Sequence, residues 1–137
     1  MEHVADPLAA FTELRRVIKP GGYYLFLTPS FYDYGSLIAY LVPNRLHPKI
    51  VRFAEGRAEE DVFPTHYRTN TRRRVAQFAA ATGFAVVEFR YLGQYPAYMS
   101  FSPALFRLAS YYELFLRRFE SLAPLQGWIF AILQKQA

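Results

Sequence analysis

The chain has 137 residues, of which 53% are hydrophobic and 18% aromatic, a composition typical of one globular domain and not of a disordered chain. It contains no cysteine, which excludes disulfides and cysteine-based zinc sites. The formal net charge is +5, but the basic residues are scattered and the only dense run is Arg72–Arg74. Scattered basic residues indicate a solvated surface, so we expect no nucleic-acid partner.

Two further exclusions concern membranes and secretion. The sequence lacks an uncharged apolar run of about 18 residues, the length that a membrane-spanning helix requires. Its acidic, amphipathic start does not resemble a signal peptide. We therefore expect a cytoplasmic protein, with contact to a membrane surface as an alternative.

The first predicted elements are a helix and a strand. Asp6 is a good N-cap and Pro7 a good first helical residue, and apolar side chains then recur at helical spacing. The turn Lys19–Gly22 ends this helix, because its proline cannot continue a helix and its glycines adopt the dihedral angles of a tight turn. The continuous apolar run 23–28 predicts a strand buried on both faces of an α/β sheet.

The middle of the chain carries weaker signals. Residues 30–70 begin as an aromatic loop, in which short helices are predicted at Ser36–Val42 and His47–Ala54. Residues 55–70 are polar and irregular in pattern.

Regular elements are predicted again from residue 71 onward. Thr71 caps a helix that runs to Thr82, with Gly83 at its C-terminal end. The β-branched and aromatic residues 84–92 predict a second strand, and 128–133 predict a last one.

A wide apolar surface distinguishes the helix predicted within residues 102–121, which Pro124 should end. Packing against the sheet is the simplest interpretation. The alternatives are a cover over a substrate pocket, self-association, or contact with a membrane surface. The residues predicted for such a contact are Leu105, Leu108, Tyr112, Phe115 and Phe119.

Two ordered blocks of residues carry a resemblance to a known family. The first is Glu-His-Val-Ala-Asp-Pro at 2–7, then Arg-Val-Ile-Lys-Pro-Gly-Gly at 16–22 and a strand that ends in Thr-Pro. The second spans 60–71 and precedes a helix that closes at Thr82-Gly83-Phe84. These blocks resemble the C-terminal part of a class I S-adenosylmethionine-dependent methyltransferase of the type 11-like branch. The resemblance covers residues 1 to about 92 well and the tail more loosely.

The resemblance implies an α/β, Rossmann-like sheet with strand order 3-2-1-4-5-7-6, in which strand seven is antiparallel. Residues 23–28, 84–92 and 128–133 would be strands five, six and seven, so the last would lie between the other two. The strand at 23–28 would have an open edge, which invites pairing with another chain.

The cofactor-binding half of that fold is not recognisable in this sequence. The family binds S-adenosylmethionine with a Gly-rich loop after strand one and an acidic residue after strand two. No G-x-G spacing occurs among the glycines at 21, 22, 35, 56, 83, 93 and 127. We therefore expect a truncated domain that does not bind the cofactor alone, and the alternative is a non-enzymatic interaction or membrane-peripheral module.

The expected organisation is a single partial domain over residues 1–137. Its parts are the helix after strand four with strand five (1–29), substrate-side loops (30–70), a helix with strand six (71–92), an inserted apolar helix (102–121) and strand seven (127–135).

Glu2 and His3 are the residues that the resemblance places on the cofactor side of the site. In the quinone-pathway O-methyltransferases a Glu-His pair at this point helps to bind a divalent cation. That branch also uses a carboxylate just upstream, which this chain lacks, so we predict no metal site. The alternative is that both side chains are merely solvated.

Candidates for binding a small-molecule methyl acceptor come first from the aromatic loop. Phe31, Tyr32 and Tyr34 follow the strand at 23–28, and ligands of open α/β sheets bind at the carboxyl ends of strands. Simple packing of these rings is the alternative. No catalytic residue is predicted, since the sulfonium is already a strong electrophile and alignment supplies much of the rate.

A second set of candidates is His66, Tyr67 and Arg68, because a guanidinium beside an aromatic ring could hold an anionic or planar acceptor. The favoured alternative is that Arg68 holds its loop by hydrogen bonds to backbone carbonyls. The run Arg72–Arg74 opposes the dipole of its helix and could mark an anion contact, although a solvated turn is the preferred interpretation.

Overall fold

The computed structural model describes residues 1–41 and 65–137 of the chain. The helices of these residues are α1 (Pro7–Val17), α2 (Tyr34–Leu41), α3 (Arg72–Ala81) and α4 (Pro103–Arg118), and the strands are β1 (Tyr23–Pro29), β2 (Phe84–Leu92) and β3 (Trp128–Lys135). Short 3-10 helices occur at Ala97–Met99 and Glu120–Leu125. The helix predicted at His47–Ala54, residue 42 and the motif residues 60–64 lie outside the described residues.

The three strands form one sheet in the order β1-β3-β2. β3 is antiparallel to both neighbours, with Leu25 opposite Ile132 and Phe89 opposite Ala131. β1 and β2 therefore run parallel to each other, and their carboxyl ends lie at the same edge of the sheet. The predicted position and direction of the last strand are confirmed, and the fold is a mixed α/β arrangement.

One face of the sheet carries the core. Phe11 of α1 is fully buried, and its ring contacts Phe26 and Phe84 nearly edge-to-face at 6.3 and 6.4 Å between ring centres. α3 adds Val75 and Ala79 to the same cluster. The helices α1 and α3 thus cover one face with aromatic and small side chains, the packing that gives a small sheet its stability.

The opposite face of β1 is open, which corrects the prediction of a strand buried on both faces. Tyr23, Leu25 and Leu27 are 51–55% exposed and alternate with the inward-facing side chains of the strand. The reason is that α1 and α3 pack on the same side, and no described helix covers the other side at β1. Within the described residues β1 is also an edge strand, since it pairs only with β3, as predicted.

The end of α1 is held by the end of β3. The Lys135 ammonium donates to the carbonyls of Arg15 and Ile18, both at 2.7 Å. These carbonyls lie in the last turn of a helix, where no intrahelical donor is available. The α1–β1 turn and the end of β3 therefore form one unit.

The helix α4 is shorter than the 102–121 segment predicted for it. It ends at Arg118 because Phe119 has extended dihedral angles, and Pro124 lies inside the following 3-10 helix. The closest backbone approaches of α4 are to the two 3-10 helices.

Of the five α4 residues predicted for a surface contact, four are exposed and one is not. Tyr112 is half-buried, and its ring meets Tyr34 edge-to-face at 5.9 Å, so it belongs to the interior side of the helix. The other four residues predicted for a surface contact, Leu105, Leu108, Phe115 and Phe119, are exposed.

Candidate functional site

The first residues of the chain lie against the segment before α3. The backbone N–H of His66 donates to the carbonyl of Glu2 at 2.8 Å. The Arg68 guanidinium donates to the carbonyl of Ala5. Arg68 thus holds its loop by a hydrogen bond to a backbone carbonyl, which was the favoured alternative to an acceptor-binding role. These contacts bring the predicted cofactor-side residues Glu2 and His3 close to the predicted acceptor-binding residues 66–68.

Tyr67 lies at the junction of these segments. Its φ angle is +50°, which is uncommon for a bulky residue and is found where the surrounding structure holds the backbone. Burial raises the pKa of its phenol, the Glu2 and Asp33 carboxylates raise it further, and a hydrogen bond to the Ser36 side chain acts the other way. The Tyr67 hydroxyl is therefore positioned between the start of the chain and the loop after β1.

An aromatic cluster forms beside Tyr67 at the carboxyl end of β1. The ring of Phe31 is at its centre and meets Tyr32, Tyr40 and Tyr67 edge-to-face, at 5.5, 5.4 and 5.9 Å between ring centres. Three predicted residues, Phe31, Tyr32 and Tyr67, thus share one cluster, whereas the Tyr34 ring turns towards α4. We refer to the rings of Phe31, Tyr32, Tyr40 and Tyr67 as the aromatic cluster.

Asp33 connects this loop to the end of β2, a contact that was not predicted from the sequence. Its side chain is buried, with the residue only 3% exposed. Oδ2 accepts from the backbone N–H groups of Gly35 and Ser36 at 3.0 and 3.2 Å. Oδ1 accepts from the Gln94 side chain at 2.6 Å. Asp33 therefore closes the turn into α2 and fixes it to the chain that leaves β2.

Gln94 also holds a second buried carboxylate, Glu113 of α4. The backbone N–H of Gln94 donates to Glu113 Oε2 at 3.2 Å. Oε1 of Glu113 is buried and has no hydrogen-bond partner among the described residues. Three elements therefore meet at Gln94, and two carboxylates lie in the interior between them.

The surroundings of this pair raise the pKa of both carboxyl groups. Burial raises the pKa of Asp33 to about 6, N–H donation from Ser36 and Gly35 opposes this, and the Glu113 charge adds to it. Burial also raises the pKa of Glu113, against the Gln94 N–H and the Arg117 guanidinium. Carboxyl groups with pKa values raised by burial and by a like charge are common at functional sites and also occur in structural networks.

Asn70 anchors the segment before α3 to β1. Its side chain is fully buried, and the side-chain amide donates to the carbonyl of Pro29 at 2.8 Å and to Thr28 Oγ1 at 3.2 Å. The backbone carbonyl of Asn70 accepts from the Phe31 N–H at 2.8 Å. Oδ1 of Asn70 has no partner among the described residues. This anchor places Tyr67 against the aromatic cluster.

Glu2 and His3 contact each other, with 3.1 Å between Oε1 of Glu2 and Nε2 of His3. Residues 1–41 and 65–137 contain no group of three or more His, Asp or Glu side chains that could hold a metal ion.

One signal could have identified part of this site from the sequence. Asp33 precedes a predicted helix and stands three residues before Ser36, which is the pattern of a helix N-cap. Gln94 and Glu113 carry no comparable local signal, because their partners are distant in sequence.

No protein-family model matches this chain, and no curated protein matches it. None of the helices in the described part of the chain combines the length and the apolar character needed to cross a lipid bilayer.

Proposed function

We propose that this chain supplies the acceptor-side part of an S-adenosylmethionine-dependent methyltransferase fold, whose intact form transfers a methyl group to a small-molecule acceptor. The observation that carries the proposal is the strand order. β3 lies between β1 and β2 and is antiparallel to both. That is the order of strands five, seven and six that the motif resemblance implies.

The location of the aromatic cluster supports an acceptor site in this part of the fold. The cluster lies at the carboxyl end of β1, the edge at which open α/β sheets bind their ligands. Its ring faces suit a planar or apolar acceptor. Glu2 and His3 would lie on the cofactor side, next to Tyr67.

The contribution of these residues to methyl transfer would be alignment. A bound S-adenosylmethionine would supply the electrophile, and residues that hold the acceptor atom in line with its methyl group would lower the barrier. Asp33 and Glu113 are too buried to meet an acceptor directly. We assign them a positioning role, in which they hold the loop after β1 through Gln94.

Calorimetric titration of S-adenosylmethionine tests the proposal, using the 137-residue chain and the longest in-frame product of its gene that contains it. We expect micromolar binding by the longer product and none by the 137-residue chain, which has no G-x-G loop. In the binding form, Glu2→Gln should weaken cofactor affinity several-fold. Glu13→Gln, the same charge change on an exposed part of α1, should leave it unchanged.

Two outcomes would count against the proposal. Failure of every form to bind the cofactor would overturn it. Binding by the 137-residue chain itself would contradict the assignment of this chain to the acceptor side alone.

The exposed surface of α4 favours a second candidate, a non-enzymatic interaction or membrane-peripheral module. Leu108, Leu114 and Phe115 are 55–66% exposed on this helix, and α4 ends in a basic pair, Arg117 and Arg118. Apolar side chains beside basic ones are typical of surfaces that contact proteins or anionic lipids. Cosedimentation with phosphatidylserine vesicles, absent for Leu108→Glu, would favour this function over methyl transfer.

A further inference from the structure

The helix α4 is attached to the rest of the molecule by few buried side chains. Its buried residues are Glu113 and Leu116, whereas large apolar side chains on its outer side, such as Leu108 and Phe115, are exposed. Its N-cap residue, Ser102, makes no side-chain hydrogen bond to the first turn. Helices with few buried apolar contacts are among the parts of a protein that open most easily. The attachment of α4 therefore depends on a carboxyl group, that of Glu113.

Two glycines allow a close approach at the place where α4 is attached. A side-chain carbon at Gly93 would lie 2.8 Å from Arg117 Nε and 3.1 Å from Glu113 Oε2. One at Gly127 would lie 2.5 Å from Cδ of Gln94. Any larger residue at either position would displace these side chains. α4 thus docks through Glu113 and Arg117 against backbone that carries no side chain.

Gln94 joins Glu113 to a second carboxyl group, that of Asp33. Glu113 Oε2 accepts from the Gln94 backbone N–H at 3.2 Å, and Asp33 Oδ1 accepts from the Gln94 side chain at 2.6 Å. Asp33 and Glu113 are only 3% and 4% exposed, and Glu113 Oε1 has no hydrogen-bond partner among the described residues. Like charges repel, and a buried charge without a full set of partners is costly. The docked position of α4 is therefore least stable when both carboxyl groups are ionised.

The other titratable groups around the pair do not remove this cost. On α4, the Arg117 guanidinium favours the ionised form of Glu113, and the Tyr112 phenol faces both carboxylates. The Tyr67 phenol faces Asp33 from the segment before α3. Phenols stay neutral until about pH 10, so Arg117 is the cation that opposes the effect. The pKa of Asp33 is nevertheless raised to about 6, and that of Glu113 is also raised, in both cases chiefly by burial.

We propose that α4 is a pH-sensitive lid on the loop after β1, closed while Asp33 or Glu113 holds a proton and opening when both carboxyl groups are ionised. The ring of Tyr112 on α4 covers that of Tyr34 at the start of α2. Opening of the lid therefore uncovers the chain that leads from the aromatic cluster into α2.

The lid should open as the pH rises. Asp33 has a pKa of about 6 with the lid closed, and its pKa returns towards the ordinary 3.8 when the lid exposes it to water. The closed lid is thus fully favoured below about pH 4, and this preference is lost as the pH approaches about 7. Over that range the opening constant should rise by at most about a hundredfold from Asp33, since each unit of pKa difference contributes a factor of about ten.

Hydrogen–deuterium exchange of backbone amides, corrected for the intrinsic pH dependence of exchange, measures this opening constant even when the open lid is rare. We expect a larger opening constant at Leu116 of α4 than at Leu133 of the central strand β3, and a rise at Leu116 with pH. Equal opening constants at the two amides at every pH would mean that α4 opens only when the whole molecule unfolds. That result, or an opening constant at Leu116 that does not change with pH, would overturn the proposal.

Glu113→Gln tests the carboxyl pair, because glutamine keeps an oxygen that can accept from the Gln94 N–H and removes the charge that faces Asp33. The rise of the opening constant with pH should become several-fold smaller. The readout is this change with pH, so a constant loss of stability from the new amide does not affect it. Glu120→Gln, the same substitution at an exposed residue just after α4, is the matched control.

An unchanged pH dependence in Glu113→Gln would contradict the lid, as would an equal change in Glu120→Gln. The measurement uses the 137-residue chain without a methyl donor, so its outcome is independent of the proposed function.

Discussion

Asp33 is a buried carboxyl group with three hydrogen-bond donors around it, from Gly35, Ser36 and Gln94. Such donors stabilise the ionised form, yet the pKa is raised to about 6 because the cost of removing the charge from water is larger. Glu113 adds a like charge across Gln94. Ionisation of Asp33 therefore opposes folding, even though its hydrogen bonds hold the loop in place.

This balance predicts a pH dependence of stability. The pKa of Asp33 is about 6 in the folded state and 3.8 in its ordinary environment, so the folded state binds the proton more tightly. The free energy of unfolding should therefore fall as pH rises from about 4 to about 7, by at most about 3 kcal/mol from this group. Urea denaturation at a series of pH values measures this fall in the free energy of unfolding.

Asp33→Asn removes this titration and should flatten the pH profile over that range, leaving the contribution of Glu113, whose pKa is also raised by burial. The Gln94 amide can rotate to accept from the new Asn side chain, so the loop contact is kept. Glu13→Gln, at an exposed ion pair on α1, is the control and should keep the wild-type profile. An identical profile for Asp33→Asn and the wild type would contradict the burial effect.

The turn between α3 and β2 shows how one glycine joins several elements. Gly83 has φ of +68°, and its carbonyl accepts from the Arg15 guanidinium of α1 at 2.6 Å. Gly21, in the turn after α1, has φ of +76°, and nothing lies within 4 Å of the position that a side-chain carbon would take. The two turns share a backbone conformation and differ in what surrounds it.

Alanine at these glycines should therefore have unequal costs. Gly21→Ala should cost about 1–2 kcal/mol, the penalty for a left-handed conformation. Gly83→Ala should cost about 1 kcal/mol more, since its Cβ would lie 2.6 Å from Arg15 Nη1 and displace that hydrogen bond. Urea denaturation of both variants measures the difference, and the excess should vanish in an Arg15→Gln background. Equal costs for the two variants would rule out this role of Arg15.

The whole molecule has one covered and one open side. α1 and α3 pack on one face of the sheet, while Leu25 and Leu27 are half-exposed on the other. The register places Ile132 and Phe130 opposite these two leucines, so together they form an apolar patch, here called the open sheet face. The patch lies beside the edge of β1, which carries no charged residue to discourage pairing.

We expect this chain to self-associate through the open sheet face and the edge of β1. Leu25→Lys should shift the sedimentation profile towards monomer, because a lysine on an edge strand blocks pairing and apolar contact. Val17→Lys changes a side chain of similar exposure on α1 and is the control. Leu108→Lys tests α4 in the same experiment, and loss of association in that variant alone would contradict this assignment.

Most secondary-structure elements were predictable because their signals are local. The predicted strand at 84–92 coincides with β2, and Thr71 and Gly83 flank α3 as expected from capping rules. The prediction was wrong for the end of the helix within 102–121, because Phe119 becomes extended before Pro124 is reached. It was also wrong for β1, whose apolar run indicated two covered faces.

The candidate site also contains residues that local sequence signals identify and residues that they do not. Phe31, Tyr32 and Tyr67 could be selected from their place after a strand and before a helix, and the structure brings them together. Asp33 and Gln94 were missed because they are separated by 61 positions, and neither residue carries a local sign of the other.

The sequence by itself located α1, α3 and the three strands, since caps, turn glycines and apolar periodicity act over a few residues. Only the tertiary structure decided which face of β1 is covered and which carboxylates are buried together. The physical reason is that burial and charge interactions depend on distances between elements, and those distances are set only when α1, α3 and α4 pack around the sheet.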